Sequence, residues 1–139
     1  LSIAATNLLM ETIPLLIEGK ITPLPQNEEE ATFAYNITNE EKRLDFTKDA
    51  RSVFNHIRAY NPNPIAYMEL KGDQIKVYDS VVVDETTNES PGTILLHRKN
   101  RLMIACGNNT VLELLTIQPT GKKIMSARDF INGGLRKYL

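Results

Sequence analysis

The side chains with the clearest chemical potential in this chain are basic, and they come in two sets. Arg98, Lys99 and Arg101 flank one expected turn, and Lys122, Lys123 and Arg128 flank another. Cations grouped in this way neutralise phosphates, each contact releasing about one counterion. Residues 97–139 carry 8 basic against 2 acidic side chains, whereas residues 1–50 carry 4 against 9. A polyanion would therefore meet the C-terminal end first. The whole chain has a net charge of −1 and a pI near 6.2, which argues against indiscriminate nucleic-acid binding and leaves a local patch, or ordinary solvating charge, as the two readings. Arg58 stands apart on an expected helix, where it either reads phosphate or pairs with an acid such as Asp45.

Catalytic constellations are missing from the sequence. It contains no G-x-S-x-G, P-loop, G-x-G-x-x-G, H-E-x-x-H or C-x-x-C. His56 has no second metal-type ligand one helical turn away, so a structural or surface role is expected for it. Glu28, Glu29 and Glu30 form a linker-type run that solvates itself. The single cysteine, Cys106, lies in an apolar strand pattern; it makes an internal disulfide impossible and fits a reducing compartment. Tyr67 and Tyr78 are the only aromatics between Pro64 and Gln118, a poor basis for a base-stacking platform. Shape and backbone contacts to a folded RNA suit these residues better.

The elements that must position the cations follow from periodicity. Ala5, Leu8, Leu9, Ile13 and Leu16 recur at helical spacing up to Gly19, a natural stop, with Pro14 expected to kink the last turn. Ile21 to Tyr35 reads as a linker, with two prolines and three glutamates. The chain opens on Leu rather than Met, so it is expected to begin inside a larger protein, and no signal peptide or membrane-spanning run is visible. Thr47 is expected to cap a helix carrying Ala50, Val53, Phe54 and Ile57, ended by Asn61-Pro62-Asn63-Pro64. The period then changes to two, with strands expected at Ala66–Leu70, Gln74–Val83, Thr93–His97, Leu102–Cys106 and Thr110–Gln118. Turns are expected at Gly72-Asp73, Asp84–Gly92, Lys99-Asn100 and Gly107-Asn108-Asn109. Five strands of this length suit a small barrel, with the second long enough to bend across it. Pro119-Thr120-Gly121 turns the chain, and Ser126 begins a last helix, its hydroxyl accepting from the Asp129 N–H.

The run from Ile117 to Gly133, I-Q-P-T-G-K-K-I-M-S-A-R-D-F-I-N-G, resembles the end of the C-terminal domain of methionyl-tRNA formyltransferases, in which Q-P-x-G-K-K leads into M-S-x-x-D-F. R-L-D-F-T and I-R-A-Y-N-P-x-P are similar to the family's I-D-W-S and I-R-A-L-N-P-W-P-G-A, with Phe46 in place of Trp and Asn63-Pro64-Ile65-Ala66 in place of W-P-G-A. V-D-E-T-T-N-E-S-P-G-T-I-L and the tether G-K-x-x-P-x-P-Q also match. Asn36 and Asn39 stand where relatives often carry lysine, so no tRNA contact is carried over there.

The resemblance implies a mainly β fold: a small OB-fold-like Greek-key barrel preceded by an N-terminal helix and linker and flanked by short helices. Residues 1–30 would be the tail helix of a catalytic domain and its linker, and residues 31–139 an OB-like tRNA-binding domain. The parent enzyme it implies moves a formyl group from 10-formyltetrahydrofolate to the methionyl amine of initiator tRNA, in the cytoplasm, for translation initiation. The family's catalytic Asn, His and Asp, in the H-P-S context that His56 and His97 lack, would lie upstream. This part would then have no catalytic residue, metal or bound cofactor, and no folate pocket to assign. Its implied partners are initiator methionyl-tRNA and the upstream catalytic domain, without a membrane and as a monomer. The candidate RNA-binding residues are Lys122, Lys123, Arg128, Arg98, Arg101 and Arg58. Alternatives are the appended barrel of an amino-sugar formyltransferase or a formyl-folate hydrolase, and a stand-alone interaction barrel.

Overall fold

The computed structural model describes residues 1–95 and 100–138, which fall into two compact units, Leu1–Tyr35 and Asn36–Leu139. In the first, helix α1 (Ser2–Ile17) continues through Pro14 and ends at Gly19, whose φ of 68° lies in the left-handed region. That conformation lets the Gly19 N–H donate to the Leu16 carbonyl at 3.1 Å and the Lys20 N–H to the Leu15 carbonyl at 2.9 Å, satisfying two terminal acceptors. None of its residues is buried, and Leu8, Leu9, Ile13 and Leu16 all lie exposed.

The second unit is a five-stranded antiparallel sheet with short helices. Its strands are β1 (Ala66–Leu70), β2 (Asp73–Thr86), β3 (Leu102–Ala105), β4 (Thr110–Pro119) and β5 (Met125–Ser126). The order is β1-β2-β4-β3, with β5 beside β4. The mainly β class is as expected, and the sheet is not closed: among the described residues no ladder joins β1 to β3. Register shifts between Val77 and Asp79 and between Val83 and Thr86 bend β2 along its length. Lys71 and Gly72 have φ of 46° and 85°, the two left-handed residues of a type I′ hairpin, so the β1–β2 turn sits one residue earlier than expected.

Two further expectations are corrected. The segment expected to form a strand at 93–97 makes only an isolated bridge, Ile94 to Ile104, within its described part, and residues 96–99 lie outside the described residues. There the Leu95 N–H donates to Met103 and the Ala105 N–H to Thr93, so it covers the edge of β3; the fifth strand is Met125–Ser126 instead. Helix α2 (Ala50–Tyr60) is capped by Asp49, which accepts from the Ser52 N–H at 3.0 Å, and not by Thr47. Asp45 captures Thr47, accepting from its N–H at 3.0 Å and from its hydroxyl at 2.6 Å. That local turn delays the helix by two residues.

The core lies where Val53 and Ile57 of α2 meet Met68, Ile75, Val77, Leu112 and Ile117 of the sheet. Period-two alternation sends Leu102 and Ile104 into this cluster and Met103 and Ala105 into a smaller one with Leu95 and Val111, so β3 is buried throughout. Sheet and helix are fastened at Gly107. Its N–H donates to the carbonyls of Phe46 and Lys48, both at 2.9 Å, while the Ala50 N–H donates to the Thr110 hydroxyl at 2.8 Å and that hydroxyl to the Gly107 carbonyl at 2.7 Å. A Cβ at Gly107 would stand 1.9 Å from the Thr47 carbonyl oxygen. Backbone cannot yield as a flexible side chain would, so Gly107→Ala is expected to cost about 2 kcal/mol or more. Urea unfolding at matched m-value measures it, and a midpoint equal to wild type would show that this contact is not holding α2 to the hairpin.

Candidate nucleic-acid interface

The C-terminal cations are held by backbone and not by a loose tail. After β4, Gly121 (φ 71°) turns the chain, and the Lys122 N–H donates to the Pro119 carbonyl at 3.0 Å. Gln118 Nε2 donates to the Lys122 carbonyl at 2.9 Å, and the Thr120 hydroxyl to the Gln74 carbonyl at 2.6 Å, which pins the turn to β2. Helix α3 (Ala127–Gly133) then starts as expected, with the Ser126 hydroxyl accepting from the Asp129 N–H at 3.1 Å and donating to Asp129 Oδ2 at 2.7 Å. Phe130 and Ala127 bury one side of it. Lys122, Lys123 and Arg128 stay exposed, and none forms an ion pair with a described carboxylate.

Sequence reasoning missed the last turn of this region. Leu135–Tyr138 forms a 3-10 helix, from which Lys137 Nζ and the Tyr138 hydroxyl (2.8 Å) both donate to Asp73 Oδ2 at the start of β2, and Tyr138 stacks near Phe130 at 5.6 Å between ring centres. Arg136 and Lys137 thus join the basic segment, which holds 5 basic and 1 acidic side chain over residues 119–138. A cleft of about 510 Å³ opens here, with Phe130, Met125 and Tyr138 among its apolar lining and Lys122, Lys137 and Asp129 among its polar lining.

The other candidates are placed differently. Arg101 is half-buried and committed: Nε and Nη2 donate to Glu113 Oε2 at 3.0 and 2.7 Å, and Nη1 to Glu85 Oε1 at 2.8 Å. Glu113 first, then Glu85, hold its pKa above the ordinary guanidinium value. Among the described residues, two carboxylates therefore share the one Arg101 guanidinium. Arg98 lies outside the described residues. Arg58 is exposed on α2 and does not pair with Asp45; its guanidinium carbon lies 5.8 Å from the centre of the Phe54 ring, with Arg51 on the same ring at 5.5 Å. Arg51 escaped notice because nothing in its spacing distinguishes it from a solvating helix charge.

Cys106 is buried, and desolvation pushes its thiol up to about 11, so it stays protonated and unreactive near neutral pH. His56 packs half-buried against Tyr60, 4.6 Å between ring centres. No group of three or more metal-type ligands occurs among the described residues, and no described helix is long and apolar enough to cross a membrane.

Residues 36–135 match the family described as formyl transferase, C-terminal domain. Methionyl-tRNA formyltransferases of Bacillus thuringiensis (strain Al Hakam), Bacillus cereus (strain AH820) and Bacillus anthracis (strain CDC 684 / NRRL 3495) are each 45% identical over 133 residues, 96% of this chain. The chain spans 42% of the length of these relatives. Among solved structures, HypX from Aquifex aeolicus in complex with tetrahydrofolic acid superposes with a TM-score of 0.65 at 17% identity, over 92% of this chain and 22% of that one. A multiply substituted HypX variant gives 0.64 at 16%, over 94% and 23%. At this identity the likeness is one of fold.

The Asp73 contact generates a pH prediction. Lys137 first and Tyr138 second hold the Asp73 carboxyl below its usual value. A depressed folded pKa contributes stability above the unfolded value of about 3.9, which is lost as pH falls through the folded value. The stability difference between wild type and Asp73→Asn is therefore expected to shrink as pH falls below about 4. Melting curves of both proteins between neutral and acid pH check it, and a difference constant with pH would show that the charge on Asp73 does not hold the C-terminal turn.

Proposed function

Because the chain belongs to the formyl transferase C-terminal domain family, we propose that it is the tRNA-holding part of a methionyl-tRNA formyltransferase. Residues 1–30 are then the tail of the catalytic domain and its tether, and residues 31–139 bind and orient initiator tRNA. The observation that carries this reading is the basic segment from Lys122 to Lys137, unpaired at Lys122, Lys123 and Arg128 and fixed by a turn, a capped helix and the Asp73 anchor. Ordered cations lose less entropy on meeting phosphates than cations on a free tail, so they are suited to positioning a large polyanion. The exposed apolar face of α1 supports the assignment of residues 1–30, since Leu8, Leu9, Ile13 and Leu16 require a partner surface.

The formyl donor, 10-formyltetrahydrofolate, and the transfer itself belong to the upstream part of the parent enzyme in the cytoplasm. This chain's contribution is proximity: holding the acceptor so that attack becomes effectively unimolecular. The isolated chain is expected to transfer no formyl group to methionyl-tRNA. Transfer at a rate near that of the complete enzyme would overturn the division of labour.

The lysines supply the sharper test. If Lys122 and Lys123 each meet a tRNA phosphate, changing both to Ala flattens the log–log salt dependence of binding by about 2 units and weakens binding of all sequences alike. Stability should shift by less than about 0.5 kcal/mol, as both are exposed. Labelled initiator tRNA titrated with the full-length enzyme, wild type and double variant, reads this directly. Parallel slopes with unchanged affinity would reduce the two lysines to solvating charge.

A further inference from the structure

We propose that the outer face of α2 is a second RNA-phosphate contact, in which Arg51 and Arg58 are ordered on the Phe54 ring and donate to phosphodiester oxygens. The inference rests on the tRNA reading above and adds a site to it. Arg51, Phe54 and Arg58 are spaced by three and four residues, so they form one row along the helix, while Ala50, Val53 and Ile57 are buried in the sheet. The guanidinium carbons lie 5.5 and 5.8 Å from the same ring centre, one from the turn before and one from the turn after.

A guanidinium stacked on a ring keeps its N–H donors in its own plane and free, in the fork that suits a phosphate. Among the described residues neither arginine side chain has another partner. No described carboxylate pairs with Arg51 or Arg58, and the acids at the start of the helix are engaged elsewhere: Asp49 accepts from the Ser52 N–H and, at 2.8 Å, its hydroxyl, and Asp45 accepts from Thr47. Lys48, just before the cap, adds a third exposed cation. The contrast with Arg101 is direct, since that side chain has two carboxylates and these have none. A phosphodiester is the complementary occupant of such a row. A merely structural trio, in which the aliphatic stems cover Phe54 from water, would give the same packing but no dependence of RNA binding on the charges.

The test uses the full-length protein that carries this chain and a labelled initiator tRNA transcript, titrated from about 50 to 200 mM salt. Arg51→Ala with Arg58→Ala is expected to flatten the salt slope by about 2 units, in addition to the effect of the Lys122 and Lys123 pair. Arg51→Lys with Arg58→Lys keeps the charges and loses the stacked plane; the slope stays and affinity falls roughly two- to fivefold. Phe54→Leu keeps both the apolar packing and the charges, and the same fall at unchanged slope is expected. Melting of each variant confirms that α2 remains docked. A slope parallel to wild type in the arginine-to-alanine pair, with the lysine pair still flattening it, overturns this site and leaves the tRNA reading standing. Full affinity in both the arginine-to-lysine pair and Phe54→Leu overturns the stacked arrangement. No tRNA binding by wild type overturns both.

Discussion

The contact on which the rest of the sheet-and-helix unit depends is the approach of Gly107 to the backbone just before α2. One N–H shared between the Phe46 and Lys48 carbonyls, and one Thr110 hydroxyl joining Ala50 to Gly107, couple the β3–β4 turn to the first turn of the helix. Only a residue without Cβ permits a backbone carbonyl so near. Once the helix start is fixed, its rotation is fixed too, because Ala50, Val53 and Ile57 must face the sheet. Arg51 and Arg58 then lie on the exposed side by geometry, with Phe54 half-buried between them and packed against the core.

A second constraint acts at the opposite end of the chain. Pro119 to Tyr138 holds only short elements, a two-residue strand, a two-turn helix and a 3-10 turn, and such a segment would fray without ties. Three ties prevent it: Thr120 on Gln74, Phe130 in the core, and Lys137 with Tyr138 on Asp73. Two of them end on residues 73 and 74, at the beginning of β2, so the bend of one long strand positions both the platform and the cations beside it. The Lys137 to Asp73 pair is largely exposed on the lysine side, and its worth lies in holding geometry more than in Coulomb energy.

What the sequence made legible was whatever has a local cause. The bounds of β1 follow from Pro64 and from a turn at Gly72, read one residue too late, the α3 cap from Ser126 and Asp129, and the end of α1 from Gly19. Thr47 misled because Asp45 competes for it two residues away, a choice between two acceptable local hydrogen bonds. The segment 93–97 reads as strand, yet its described part makes only the single bridge of Ile94 to Ile104, while Met125–Ser126, too short for any periodic signal, pairs with Thr116 and Ile117. Among the candidate cations, Lys122, Lys123 and Arg128 are exposed as their context implied. Whether an arginine is free or claimed depends on partners 12 and 16 residues away for Arg101, and no pattern in its own neighbourhood discloses Glu113 and Glu85.

The chemistry of the exposed surface also bears on what kind of recognition it performs. Reading base identity takes side chains that present paired donors and acceptors, or aromatic faces free to stack. Tyr67 is buried, and the Tyr78 hydroxyl is spent on Gln118 at 2.9 Å. Phe54 has its ring flanked by two guanidiniums. What remains outward in the two basic regions is lysine and arginine, groups that register backbone position and carry little sequence information. On the proposed tRNA reading, a surface built this way would supply affinity, orientation and salt dependence more than sequence choice.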